Sequence, residues 1–187
     1  MAQNGFKLAV AAMVGLFAYP ATAGAAQIDP LAASVLNSHN AARAAVGAAP
    51  LSWDPALAAA AAAWAQYLAS TGRLDHSDRK ARPGIGESLS RGSQGAYSVE
   101  HLAGLWSAEG RHFKPGIFPD NSRTGDWMDV AHYTQMIWPT TRRIGCAMAS
   151  GRGDDYLVCR YMPKGNIDGR ALPVHSPPPQ LAAERGR

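Results

Sequence analysis

Six histidines and a few glutamates are the side chains of this 187-residue chain best suited to metal binding or acid–base work. A neutral imidazole nitrogen binds a divalent ion, and a carboxylate can orient that ring or take a proton. His39 falls in a helical pattern four residues before Arg43, His101 and His112 flank another, and His175 lies near the end. His76 sits in a polar run beside Ser77 and Asp78, and His132 opens the run His132-Tyr133-Thr134-Gln135. Residue type alone does not choose among these six. Two glutamates are more suggestive. Glu87 follows Gly84-Ile85-Gly86, a backbone able to approach another element closely. Glu109 lies three residues beyond Trp106 on the apolar stripe of a helix, where a carboxylate is costly unless paired. A rim position at the helix end explains it equally well. Ser77 and Ser88 are the serines a nucleophilic mechanism would need, and neither stands in a Gly-x-Ser-x-Gly elbow.

The elements that would carry these groups follow from caps and periodicity. Asp29-Pro30 and Asp54-Pro55 each read as an N-cap followed by a first-turn proline. The first helix has Leu31, Val35, Ala42 and Val46 at helical spacings and stops at Gly47; the second has Leu57, Ala61, Trp64 and Leu68 and stops at Gly72. Residues 75–86 read as a loop and 87–90 as a short strand. Ser98 caps a third helix reaching about residue 113, with Leu102, Leu105, Trp106 and Glu109 on one face. Residues 114–130, dense in Pro, Gly, Asn and Asp, read as a long surface loop, and 131–138 as a short helix. Strands at 143–149 and 156–161 flank a Gly/Asp-rich turn and form a hairpin. Pairing symmetric about that turn sets Ala149 opposite Tyr156 and Cys146 opposite Cys159. A disulfide there suits an oxidising compartment, with two buried thiols as the alternative.

Composition bounds the function classes. With 47% hydrophobic and 17% charged residues, the chain is expected to fold as one domain. Two cysteines exclude a disulfide-dense miniature scaffold. The net charge of +4 and pI near 9.3 come without a basic stripe interleaved with aromatics, so nucleic acid is not an expected partner. Residues 1–25 read as a signal peptide: Lys7, an uncharged run from Leu8 to Ala18, Pro20, then the small-residue cleavage patterns Ala21-Thr22-Ala23 and Ala23-Gly24-Ala25. The run is shorter than the roughly 20 residues a bilayer needs, so no membrane span is expected after cleavage. The expected location is secreted or periplasmic. The tail, 174–187, with Pro177-Pro178-Pro179, is expected to be disordered.

In order along the chain stand His39-Asn40 with Arg43, Val46-Gly47, Pro50-Leu51 with Trp53-Asp54, His76-Ser77 and Gly86-Glu87. Trp106 with Glu109, the run from His132 to Trp138, Gly145-Cys146, Cys159-Arg160-Tyr161 and Pro163 to Asn166 follow. This series, from Ser34 to Pro173, resembles the CAP superfamily of cysteine-rich secretory proteins, venom antigens and pathogenesis-related proteins. The resemblance implies an α+β fold, a three-layer α-β-α sandwich around a central, mainly antiparallel sheet, over residues 26–173. It implies a cleft tetrad of His76, Glu87, Glu109 and His132, with His76 and His132 able to hold a divalent ion such as zinc or magnesium. It also implies two functional expectations. One is a non-enzymatic binding module for a small apolar ligand (a sterol or fatty acid) or a partner protein, with Phe118, Trp127 and Met128 as a possible ligand loop. The other is a metal-dependent or His/Glu-assisted hydrolase, with Glu87 and Glu109 as the catalytic candidates. Ser88 replaces the Asn common after Gly-Glu, and Ala131 the Gly common before His-Tyr-Thr-Gln. The carboxy-terminal cysteine-rich module of animal relatives has no counterpart in the two cysteines present, which disfavours ion-channel toxin activity.

Overall fold

Two aspartate caps begin the fold. Asp29 accepts from the Leu31 amide at 3.0 Å, and Asp54 from the Ala56 and Leu57 amides at 2.9 and 3.1 Å. These start helix α1, Pro30–Ala45, and helix α2, Pro55–Thr71, which closes on Gly72 in the left-handed region at φ 75°. The computed structural model describes Met1 and residues 29–172; the expected leader (1–25) and tail (174–187) lie outside the described residues. Between the two helices Ser52–Trp53 forms strand β1. There follow β2 (Gly86–Ser93), α3 (Val99–Ala108), β3 (Gly116–Ile117), α4 (Ala131–Met136), β4 (Arg143–Gly151), β5 (Asp154–Met162) and β6 (Ala171–Leu172).

The main sheet has the order β1-β4-β5-β2; only β1 pairs in parallel, and β3 pairs with β6 apart from it. Helix α2 covers one face, while α1, α3 and α4 cover the other. The fold is therefore the three-layer α-β-α sandwich expected, with a mainly antiparallel sheet. Alternation along β5 feeds both cores: Tyr156 and Val158 pack under α2, whereas Leu157, Cys159 and Tyr161 face α1 and α3. The alanine-rich stretch of α2 fits a close approach to β4. A Cβ placed on Gly145 would lie 2.2 Å from the Ala58 amide nitrogen. The hairpin register is as expected: Ala149 faces Tyr156, and Cys146 faces Cys159 as a disulfide. Both cysteines are buried.

Helix α1 departs from its expected stripe. Ala32, Val35, His39 and Arg43 are the buried side, with Leu31 and Ala42 only partly covered. The His39 ring lies between the Val35 carbonyl and the Tyr161 hydroxyl, 2.9 Å from each. That places the proton on Nδ1 and makes Nε2 the acceptor from Tyr161. Burial pulls its pKa down to about 4. The Arg43 guanidinium, fully buried, donates to the carbonyls of Ala49, Met136, Trp138 and Thr141 at 2.6–3.1 Å. Burial lowers its pKa to about 10, so it stays charged and clasps the exit of α4 through carbonyl dipoles. Polar side chains whose hydrogen bonds are met by partners elsewhere in the fold can thus replace apolar ones on a core-facing stripe.

The third helix is shorter than expected. After Ala108 it tightens into a 3₁₀ turn, Glu109–His112, so Glu109 stands at the junction; Leu105 is largely exposed. The 114–130 segment is not simply a surface loop, since Phe118, Asn121 and Ser122 are buried within it.

Candidate functional site

Strand β2 is an edge strand, and its first residues lie where the two helical layers meet the sheet. Glu87 is directly opposite Arg160 in the β2–β5 register, on the face that carries Leu89 and Val158 under α2. Ser88 is opposite Cys159, on the other face. A cleft of about 440 Å³ opens at this corner. His76, Glu87, Ser88 and His132 line it, with Arg79 and Arg82 on one side, Phe118 and Trp127 on another, and Lys164 to Asn166 closing it.

The first pair is built from the loop that follows α2. His76 Nδ1 lies 2.9 Å from Glu87 Oε1, which also accepts from the Ser77 amide at 2.9 Å. Glu87 Oε2 accepts from the Ser77 hydroxyl at 2.6 Å and sits 3.2 Å from Arg160 Nη2, while Arg82 Nη2 is 3.7 Å from Oε1. The carboxylate has no solvent exposure. Burial alone would push its pKa up, but the hydrogen bonds from His76 and Ser77 and the charge of Arg82 outweigh it and hold the pKa at about 2. Arg82 is itself fixed by the Ser77 and Ile85 carbonyls.

The second pair joins α3 to α4. Glu109 Oε1 lies 2.6 Å from His132 Nδ1, and Oε2 accepts from the amides of His132 and Tyr133 at 2.9 and 3.1 Å. Val130, which precedes α4, provides no side-chain cap. Glu109 therefore caps α4 from a different helix, satisfying two first-turn amides. The His132 ring stacks on Trp106 with centroids 5.8 Å apart. The oddity that drew attention to Glu109 in the sequence is resolved by this partnership at a helix end.

The structure brings the four expected residues into two bonded pairs around one corner; three of them line the cleft, and Glu109 stands behind His132. In both pairs the carboxylate holds Nδ1, and Nε2 of each histidine has no hydrogen bond to a described residue. Among the described residues no three His, Cys, Asp or Glu side chains converge as a metal cage. Of the remaining histidines, His39 is in the core, His101 is stacked on Tyr97, His112 is bonded by Arg111, and His175 lies outside the described residues. The expected ligand loop divides. Phe118 is buried between Trp127 and Trp138, Trp127 is partly exposed at the cleft, and Met128 points to a separate groove with Leu105 and Arg111. Sequence reading missed Arg82, Arg160, Arg79 and Lys164. Arg160 meets Glu87 through the β2–β5 register, which the β4–β5 hairpin does not set.

Residues 36–161 match the sequence profile of the CAP family, described as the cysteine-rich secretory protein family. A "pathogenesis-related protein PR-1 type" of Sambucus nigra is 35% identical over 136 residues, covering 72% of this chain and 77% of that one. Pathogenesis-related protein 1 of Arabidopsis thaliana is 34% identical over 158 residues, covering 84% and 88%. Among solved structures, BmVAL-1 superposes with a TM-score of 0.63 at 23% identity, covering 86% and 89%. NaASP2 with Zn²⁺ superposes with a TM-score of 0.64 at 21% identity, covering 80% and 88%. These two likenesses concern the fold.

Proposed function

The chain belongs to the CAP family of cysteine-rich secretory proteins, and from that premise we propose that it is an exported binding module whose cleft takes a divalent ion between His76 and His132. One observation carries the reading: each ring has its Nδ1 held by a glutamate, which fixes the tautomer and leaves Nε2 as the donor toward a shared cleft. Two imidazoles fit zinc better than a hard ion such as magnesium, which prefers oxygen ligands. The NaASP2 structure with Zn²⁺ offers the same metal in a protein of the same fold. With two protein ligands, a bound ion would supply a Lewis-acidic centre with positions open to water or to a ligand oxygen. Export is supported by the family, by the leader-like sequence and by a disulfide, which persists outside the cytoplasm.

The hydrolase reading is disfavoured by the electrostatics. A general base needs a pKa near the working pH, and Glu87 is held near 2 with its carboxylate covered. Glu109 already accepts three hydrogen bonds. Calorimetric titration of the purified protein with zinc, then magnesium, tests the proposal. Saturable zinc binding that disappears in His76→Ala and in His132→Ala is expected. Folded wild-type protein that takes up no zinc overturns it.

A further inference from the structure

The cleft has charges that neither histidine pair uses. Arg82 and Arg160 flank Glu87, and Arg79 and Asp78 lie near enough to Arg82 to act on its charge. Glu87 answers Arg82 and Arg160 together. Arg79 and Lys164 line the cleft, are exposed, and have no salt bridge among the described residues. The Lys164 amide donates to the Gly84 carbonyl at 2.8 Å, which anchors that lysine's backbone to the loop following Arg82. Asp168 is the free carboxylate on the lining. Among the lining side chains, Arg79, Arg82 and Lys164 face Glu87 and Asp168, three cations against two carboxylates. Glu109, behind His132, spends its charge on two helix amides and the ring. The same lining includes Ile85, Phe118 and Trp127, which give the cleft an apolar and aromatic surface as well. Ser88, also on the lining, has a buried hydroxyl with no hydrogen-bond partner among the described residues.

We propose that the cleft binds a small organic carboxylate, its anionic group held by Arg79 and Lys164 and its apolar body against Ile85 and Trp127. A lining with one more cation than carboxylates, beside apolar side chains, matches a monoanion with a non-polar body better than a neutral apolar molecule, which would leave that charge unanswered. A volume of about 440 Å³ is in the range of small-molecule sites. The inference rests on reading this cleft as a binding site but does not require the metal.

The probes are 4-phenylbutyrate and its neutral counterpart 4-phenylbutan-1-ol, titrated by calorimetry into the full chain, first with chelator and then with zinc. The acid should bind saturably, at least about tenfold more tightly than the alcohol, with affinity falling as salt is raised. Arg79→Gln and Lys164→Gln should each weaken the acid by about fivefold to tenfold, the scale of a charge-assisted hydrogen bond, with no change in the denaturation midpoint. Asp168→Asn should tighten it. Equal binding of acid and alcohol, or unchanged affinity in both cation variants, overturns the proposal. So does absence of acid binding in both metal states while zinc still binds. Acid binding without any zinc uptake upholds it and overturns the metal reading alone.

Discussion

Glu87 and Glu109 each hold a histidine Nδ1, at 2.9 and 2.6 Å, but their settings differ. Glu87 is covered completely, and its charge is answered by two guanidiniums, a hydroxyl and an amide from the α2 side of the sheet. Glu109 is one-fifth exposed, has no Lys or Arg partner among the described residues, and is answered by His132 and the amides that begin α4. The contrast shows that the same pair of residue types can be a buried ionic clamp in one place and a helix cap in another. Their histidines differ accordingly: His76 is half exposed, whereas His132 is stacked against Trp106.

The largest expected effect separates the two carboxylates. Glu87→Ala leaves Arg82 and Arg160 without their buried counter-charge and should cost about 3–5 kcal/mol in urea unfolding. Glu109→Ala removes a cap and should cost about 1–2 kcal/mol. Equal losses would break the comparison.

Acid should sharpen it. Glu87 has a folded pKa below its unfolded value, so its contribution is complete above about pH 4.5 and is lost as pH falls toward 2. His39 is also depressed, to about 4, so the unfolded chain binds the extra proton first and stability falls between about pH 6.5 and 4. Each contribution is about 3–4 kcal/mol from the size of the shifts. Unfolding free energy should therefore drop in two stages, with the lower one missing in Glu87→Gln. A single stage, unaltered by that substitution, would place the acid-sensitive group elsewhere.

Smaller differences are expected for the rings. His132→Ala loses the Trp106 stack and the Glu109 contact and should cost about 1–2 kcal/mol, while His76→Ala should stay within about 0.5 kcal/mol of wild type because that ring is half exposed. Thermal unfolding of both variants checks the order. A small effect without loss of stability is expected at Ser88, whose buried hydroxyl lacks a partner. Ser88→Ala should be neutral or stabilising by up to about 1 kcal/mol, and a clear loss would mean that the hydroxyl is bonded.

Much of the scaffold was legible from local chemistry. The Asp-Pro caps, the left-handed Gly72 and the hairpin around residues 150–155 depend on neighbours within a few positions, so composition and spacing reveal them. The disulfide pairing followed from the same hairpin register. Other features depended on distant neighbours. The burial of His39 and Arg43 inverted the simple apolar stripe of α1, because their partners are Tyr161 and the carbonyls of residues 136–141. Phe118 was expected in a ligand loop and is buried between two tryptophans.

The candidate site divides along the same line. The sequence by itself determined which residue types were present, the family they belong to, and that His76, Glu87, Glu109 and His132 were the groups to watch. Only the tertiary structure decided which glutamate meets which histidine, that Arg82 and Arg160 neutralise Glu87, and that Glu109 caps a helix it does not belong to. The physical reason is range: caps and turns are settled over about four residues, whereas desolvation and ion pairing depend on which faces of β2, β5 and α4 are brought within a few ångströms by folding.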